Sequence, residues 1–219
     1  MPSIHFHHVH LLLIAHKAAE RAVADSNRPN ALTDDALVAI VMAATAAEAF
    51  INELAGYLHI LDETQADWAP IPPTLVACGD VVKDVEDSHG SVTLKYMVAA
   101  FALSGRTFDK GAAPFQDFVE LIKLRNAIVH LKPSDTVGQK RTNALADRGL
   151  AQPSTPTYHM PWLDRLLTPE TAAWAVRTAR NMMLGLLAMS TEQYATIELD
   201  PLQSMLESIR DHPVFAKEL

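Results

Sequence analysis

The chain has one cysteine, Cys78, in 219 residues. That excludes a disulfide framework and a cysteine-based zinc cluster, and it fits a reducing compartment. Glycine is scarce, with 8 residues, and aromatics make up 6%. Such a composition argues against a many-turned β-sandwich and against a platform of stacking rings for nucleic acid. Positive charge is in the minority: 18 Lys and Arg face 26 Asp and Glu, a net charge of −8. This is the wrong sign for coating nucleic acid by bulk charge. The longest uncharged apolar run near the start, Leu37 to Ala47, has 11 residues, whereas a membrane span needs about 20. Met1-Pro-Ser-Ile-His lacks the basic region and small-residue cleavage site of a signal peptide. The expectation is a cytoplasmic protein with no membrane partner. Glycine-rich phosphate loops, His-Glu-x-x-His and a serine nucleophile elbow are also missing from the sequence.

What is present is helical periodicity. Hydrophobic residues are 49% of the chain and charged residues 20%, which excludes a disordered tail. A first helix is predicted over His8 to Asp25. A second starts after the N-cap Thr33, with Asp34 and Asp35 in its first turn, and runs to about Ile60. A shorter acidic helix spans Leu75 to Ser88. Ser91 caps a helix that Ser104-Gly105 closes, and Pro114 opens another that ends near Leu131. Residues 132–165 read as a loop-rich excursion with a short helix around Arg141 to Arg148. Thr168-Pro169-Glu170 opens a long helix to about Ser190, and Pro201 to Arg210 a terminal one. With no strand alternation, repeat or composition break, residues 1–219 read as one all-α domain. It is a helical bundle of four to five main helices with a core at about 8–190 and a helical extension at about 191–219.

Two helices carry polar residues where apolar ones belong. Leu37, Val41, Ala44, Glu48, Ile51, Ala55 and Leu58 form one stripe, with Glu48 at its middle and Asn52 one turn away. A carboxylate buried there needs a partner, most directly Arg125; stripping a buried pair of one member costs about 3–5 kcal/mol. On the helix Pro114 to Leu131, apolar residues sweep more than half the circumference. That width predicts burial on several sides, including by a second copy of the chain. Arg125 and Asn126 nevertheless project within the apolar arc, and His130 sits at its rim. A satisfied structural network of Arg125, Asn126 and Glu48 accounts for the pattern as well as a functional site does.

Leu124-Arg125-Asn126-Ala127-Ile128-Val129-His130 resembles the Arg-x4-His signature of HEPN domains, an all-helical superfamily. The flanking elements match in order: Ala47-Glu48-Ala49-Phe50-Ile51-Asn52, Thr93-Leu94-Lys95-Tyr96, Phe108-Asp109-Lys110-Gly111 and Pro114-Phe115-Gln116-Asp117-Phe118. The resemblance covers roughly residues 8–190, with 60–90 and 132–165 as elaborations. It implies a homodimeric, metal-independent endoribonuclease without cofactors, of the kind found among toxins and antiviral-defence effectors. Its products would be 2′,3′-cyclic phosphate and 5′-hydroxyl ends. Arg125, Asn126 and His130 would be catalytic, with Glu48 and Asn52 in support, and an antitoxin or defence protein is an implied partner. Some members instead serve as non-catalytic nucleotide- or protein-binding modules. Certain toxin members carry a tyrosine two residues after the histidine, where this chain has Lys132; neutralisation by modification of that tyrosine is not expected.

Charge placement supports an anionic ligand independently. Residues 106–148 hold eight basic and five acidic side chains, a local +3 in an acidic chain. Lys132, Lys140 and Arg141 are the predicted phosphate contacts. His5, His7, His8, His10 and His16 crowd the N-terminus, and are read as solvated or interface-packed rather than as a metal site.

Overall fold

The computed structural model describes residues 6–25, 33–65, 72–131, 136–154, 160–194, 205 and 207–215. It is an all-α bundle, and no strand occurs among the described residues. In chain order the helices are α1 (His7–Asp25), α2 (Asp34–Gln65), α3 (Pro73–Asp87), α4 (Val92–Ser104), α5 (Phe115–Val129), α6 (Thr136–Ala146) and α7 (Pro169–Tyr194). A 3-10 turn at Asp164–Leu166 precedes α7. The ends obey ordinary capping chemistry. Ser91 accepts the Leu94 N–H on its side-chain oxygen at 3.2 Å, and Gly105 closes α4 in the left-handed region at φ 68°. Thr168 does for α7 what Ser91 does for α4, accepting the Thr171 N–H at 3.1 Å.

α2 lies at the centre, in contact with α1, α3, α4, α5 and α7. Its alanines explain how so many neighbours reach it. Ala36, Ala39, Ala43, Ala44, Ala46 and Ala47 are fully buried, and so are Ala15, Ala18, Ala19 and Ala22 of α1. Side chains this small let backbones approach closely while costing no rotamer entropy. α1 and α2 run antiparallel, because Arg21 pairs with Asp35 at one end and His8 with Glu53 at the other. By length and hydropathy alone, residues 34–60 would cross a membrane. In the bundle half of that stretch is buried, and its apolar surface is taken up by five helices.

Several sequence expectations change here. α2 continues past Ile60 to Gln65. The excursion at 132–165 holds an 11-residue helix that begins at Thr136, not Arg141. Gly138 lies within it because a β-carbon there would sit 2.5 Å from the Trp162 ring. The buried Arg165 fastens the excursion, donating from Nε to the Gln152 carbonyl (2.7 Å) and from Nη1 to Asn143 Oδ1 (2.8 Å). His8 and His16 are buried, not solvated. His8 Nδ1 lies 2.6 Å from Glu53 Oε2, and its ring packs edge-on against Phe50. Burial pushes the Glu53 carboxyl up, but the His8 side-chain bond and the His7 and His8 backbone N–H groups outweigh it and hold the pKa low. The C-terminal extension packs: Met205, Ile209 and Phe215 are buried, and Phe215 lies 5.5 Å from the His16 ring.

Tyr96 fixes the angle between three helices. From α4 its hydroxyl donates to the Ala47 carbonyl of α2 at 2.9 Å, and its ring meets Phe118 of α5 at 4.7 Å. Burial holds its phenol well above the ordinary value. The unfolded phenol ionises near pH 10, so this stabilisation is complete below about pH 10 and is lost as pH rises from there toward the folded pKa. Tyr96→Phe should cost about 1 kcal/mol at neutral pH and flatten the loss of stability above pH 10, read by urea denaturation. Equal alkaline slopes in the two proteins would refute the assignment.

Candidate functional site

The polar residues of α2 meet one from α5 directly and, a turn further along, one from α4. Arg125 Nη2 donates to Glu48 Oε2 in an ion pair, and Arg125 Nη1 donates to Asn126 Oδ1 at 2.9 Å. One turn further along α2, Asn52 Oδ1 accepts from Lys95 Nζ at 2.9 Å. Lys95 Nζ also pairs with the Glu86 carboxylate of α3. Two acids and two bases on four helices thus form a charge-balanced arrangement around Asn52. Lys95 is buried although its partners Asn52 and Glu86 are exposed. Burial pulls its pKa down from the usual lysine value, and the charge of Glu48 partly opposes that shift.

Glu48 is not sealed in the core. Its side chain is 31% exposed and that of Arg125 21%, because α5 covers only part of the α2 stripe. A solvated, screened pair of this kind contributes much less than a buried one, so the penalty of 3–5 kcal/mol drawn from the sequence is too large. Asn126 joins Arg125 and Glu48 in one network. Its side-chain oxygen holds Arg125, while its backbone carbonyl accepts the His130 N–H at 3.0 Å as α5 ends. His130 is the C-cap residue, exposed, and its imidazole bonds to no described residue. Arg125 and His130 therefore differ in kind: one is anchored from two sides, the other is presented to solvent.

The apolar arc of α5 is mostly satisfied within the chain. Phe115, Phe118, Leu121, Ile122 and Leu124 are buried against α2, α4, α6 and α7. What remains uncovered at the end of α5 flanks His130 in the chain, with Val129 at 54% and Leu131 at 53% exposure. The case for a second subunit therefore rests on this end of α5 and not on the whole arc.

Of the predicted phosphate contacts, Lys132 lies outside the described residues. Lys140 and Arg141 line a depression of about 980 Å³ between α5 and α6, with Lys123, Glu120, Asp117 and Arg148. Arg141 Nη1 donates to Glu120 Oε2 at 2.5 Å, and Arg148 pairs with Asp117 at 2.8 Å. Lys95 and Arg148 were missed as site residues. Lys95 had a visible signal, being the lone charged residue of Val92–Ser104; Arg148 had none beyond its charge. Among the described residues, no three His, Cys, Asp or Glu side chains converge as a metal site.

These contacts fix two expected outcomes. Glu48→Gln and Glu48→Ala should each cost only about 0.5–1 kcal/mol. Their coupling to Arg125→Ala in a double-mutant cycle should fall as salt is raised, and a coupling above about 3 kcal/mol would contradict a solvated pair. Lys95→Met should be tolerated within about 1 kcal/mol, since it strands no buried charge. Lys95→Ala should cost about 2–3 kcal/mol through the cavity it opens, and equal costs for the two in urea melts would count against this account.

Comparison with known proteins returns no relationship for this chain: no family model, no curated protein and no solved structure matches it.

Proposed function

We propose that the chain is a homodimeric, metal-independent endoribonuclease of the HEPN kind. The observation that carries this reading is the division of labour on α5, with Arg125 braced by Glu48 and Asn126 and His130 left exposed at the helix end. Strand cleavage without a metal needs three things: a base for the ribose 2′-hydroxyl, an acid for the departing 5′-oxygen, and a cation beside the phosphorane. An imidazole changes protonation near pH 6.5 and serves as base or acid. A guanidinium remains charged, and its unused N–H groups suit phosphate oxygens.

In this mechanism His130 takes the 2′-proton, the 2′-oxygen attacks phosphorus, and the P–O5′ bond breaks. The partner subunit's His130, protonated, supplies the proton that leaves with the 5′-oxygen. One histidine per chain then suffices only if two chains share a cleft, and the uncovered Val129 and Leu131 offer the apolar surface for that contact. A second reading, a non-catalytic HEPN-like module binding nucleotide or protein, is favoured by one fact: two of the Arg125 donors are already engaged by Glu48 and Asn126.

Purified protein with mixed RNAs in EDTA separates the two. The nuclease reading expects 2′,3′-cyclic phosphate and 5′-hydroxyl ends and a bell-shaped pH profile near neutrality. His130→Ala and Arg125→Ala should each slow cleavage at least about 10²-fold, with light scattering still giving a dimer. Wild-type protein inert on diverse RNAs, or His130→Ala cleaving at the wild-type rate, would transfer the case to the binding module.

A further inference from the structure

A second depression, of about 630 Å³, lies between α5 and α7, lined by Trp174, Arg177, Thr178 and Asn181. It shares Ala113, Asp117 and Arg148 with the depression between α5 and α6, so the two run together as one groove. Each is within the range of about 300–1,000 Å³ usual for ligand sites. Five cations (Lys123, Lys140, Arg141, Arg148 and Arg177) line the groove against two carboxylates, Asp117 and Glu120. A local charge of +3 on a chain of −8 is a concentrated field, not a general property of the surface.

The groove is also built in depth. The Arg148 guanidinium lies over the Trp174 ring, 5.9 Å from its centre. Trp174 Nε1 and Arg141 Nε are buried donors. Buried donors are normally paired, and these two lie beneath the groove with no acceptor among the described residues. Gln116, Glu120 and Lys123 line the groove from one face of α5, and His130 follows Lys123 by seven residues, which returns to that face within about 20°.

We propose that this groove binds a single RNA strand and leads it along α5 toward His130, with Lys140 and Lys123 on its phosphates and the Arg148–Trp174 pair beside its bases. The inference rests on the RNA reading above and extends it to a surface formed by α5, α6 and α7. Apolar side chains such as Val137 and Leu150 beside the cations suit an RNA strand, with bases as well as phosphates, better than an acidic peptide.

The test measures binding apart from cleavage, using wild-type protein and a fluorescein-labelled 2′-O-methyl oligouridylate of about twelve nucleotides, which has no free 2′-hydroxyl to attack. The double variant Lys123→Glu/Lys140→Glu should raise Kd at least about 10-fold and reduce the salt dependence of binding. Lys17→Glu, an exposed reversal on α1, should leave Kd within about 2-fold. Circular dichroism checks that both variants fold, and Lys123→Gln/Lys140→Gln gives an intermediate Kd if the phosphates are the target. Unchanged binding in the groove variants, or equal weakening by Lys17→Glu, would overturn the groove. Displacement of the oligonucleotide by polyglutamate at equal charge would overturn RNA as its occupant. Cleavage of unmodified RNA by wild-type protein with groove-independent binding would sink the groove and leave the nuclease reading standing. Groove-dependent binding without cleavage would do the reverse.

Discussion

Everything in this bundle is hung on α2, and the limiting condition is how closely its neighbours approach it. Five helices touch it, which is geometrically costly unless the contact side chains are small. Alanine at Ala39, Ala43, Ala46 and Ala47 meets that condition, and the larger Phe50, Ile51, Leu54 and Leu58 fill the wider half of the same helix. Tyr96 then ties α4 to the Ala47 carbonyl and braces α5 through Phe118. The positions of Glu48 and Asn52 on α2, and the reach of Arg125 and Lys95 toward them, follow from that framework. The polar site is an outgrowth of the core helix rather than a loop decoration, which is the more rigid way to hold a functional group.

The two ends of the candidate site have unequal freedom. Arg125 is held by a carboxylate from another helix and an amide from its own, so its charge is placed by the bundle. His130 stands where α5 stops, and only its backbone is committed to the helix. The proposed cleavage would use both properties, since a proton carrier has to meet substrate in more than one geometry, whereas a charge that steadies a transition state gains from being fixed beforehand.

Much of this was legible in the sequence where local chemistry decides. Thr168 before Pro169, Ser91, and the Ser104-Gly105 stop mark helix ends because caps act within one turn. A carboxylate in the stripe of α2 demanded a partner, and Arg125 supplied it. The degree of exposure was not legible, since it depends on how much of α2 the next helix covers. The start of α6 was missed for a related reason. Gly138 looks like a breaker along the chain, yet it is a contact residue under Trp162. Lys95 is visible in the sequence as a lone charge in an apolar helix but not as a buried ammonium, because its two partners come from α2 and α3. The groove brings Arg177 of α7 to the cations of α5 and α6, a neighbourhood that no window along the chain contains.

Cys78 lies under α4 with its sulfur 4.0 Å from the Ala99 carbonyl, fully buried, and its pKa is pushed up to about 12 by that burial. The thiolate is the nucleophile that attacks thiol reagents, so the folded chain is chemically silent toward maleimides and iodoacetamides at neutral pH. A cysteine placed at any exposed position becomes the sole reactive handle without removing the native one. Paired labels on α5 and α6 then give distances across the groove, in a protein whose interior has not been altered to accept them.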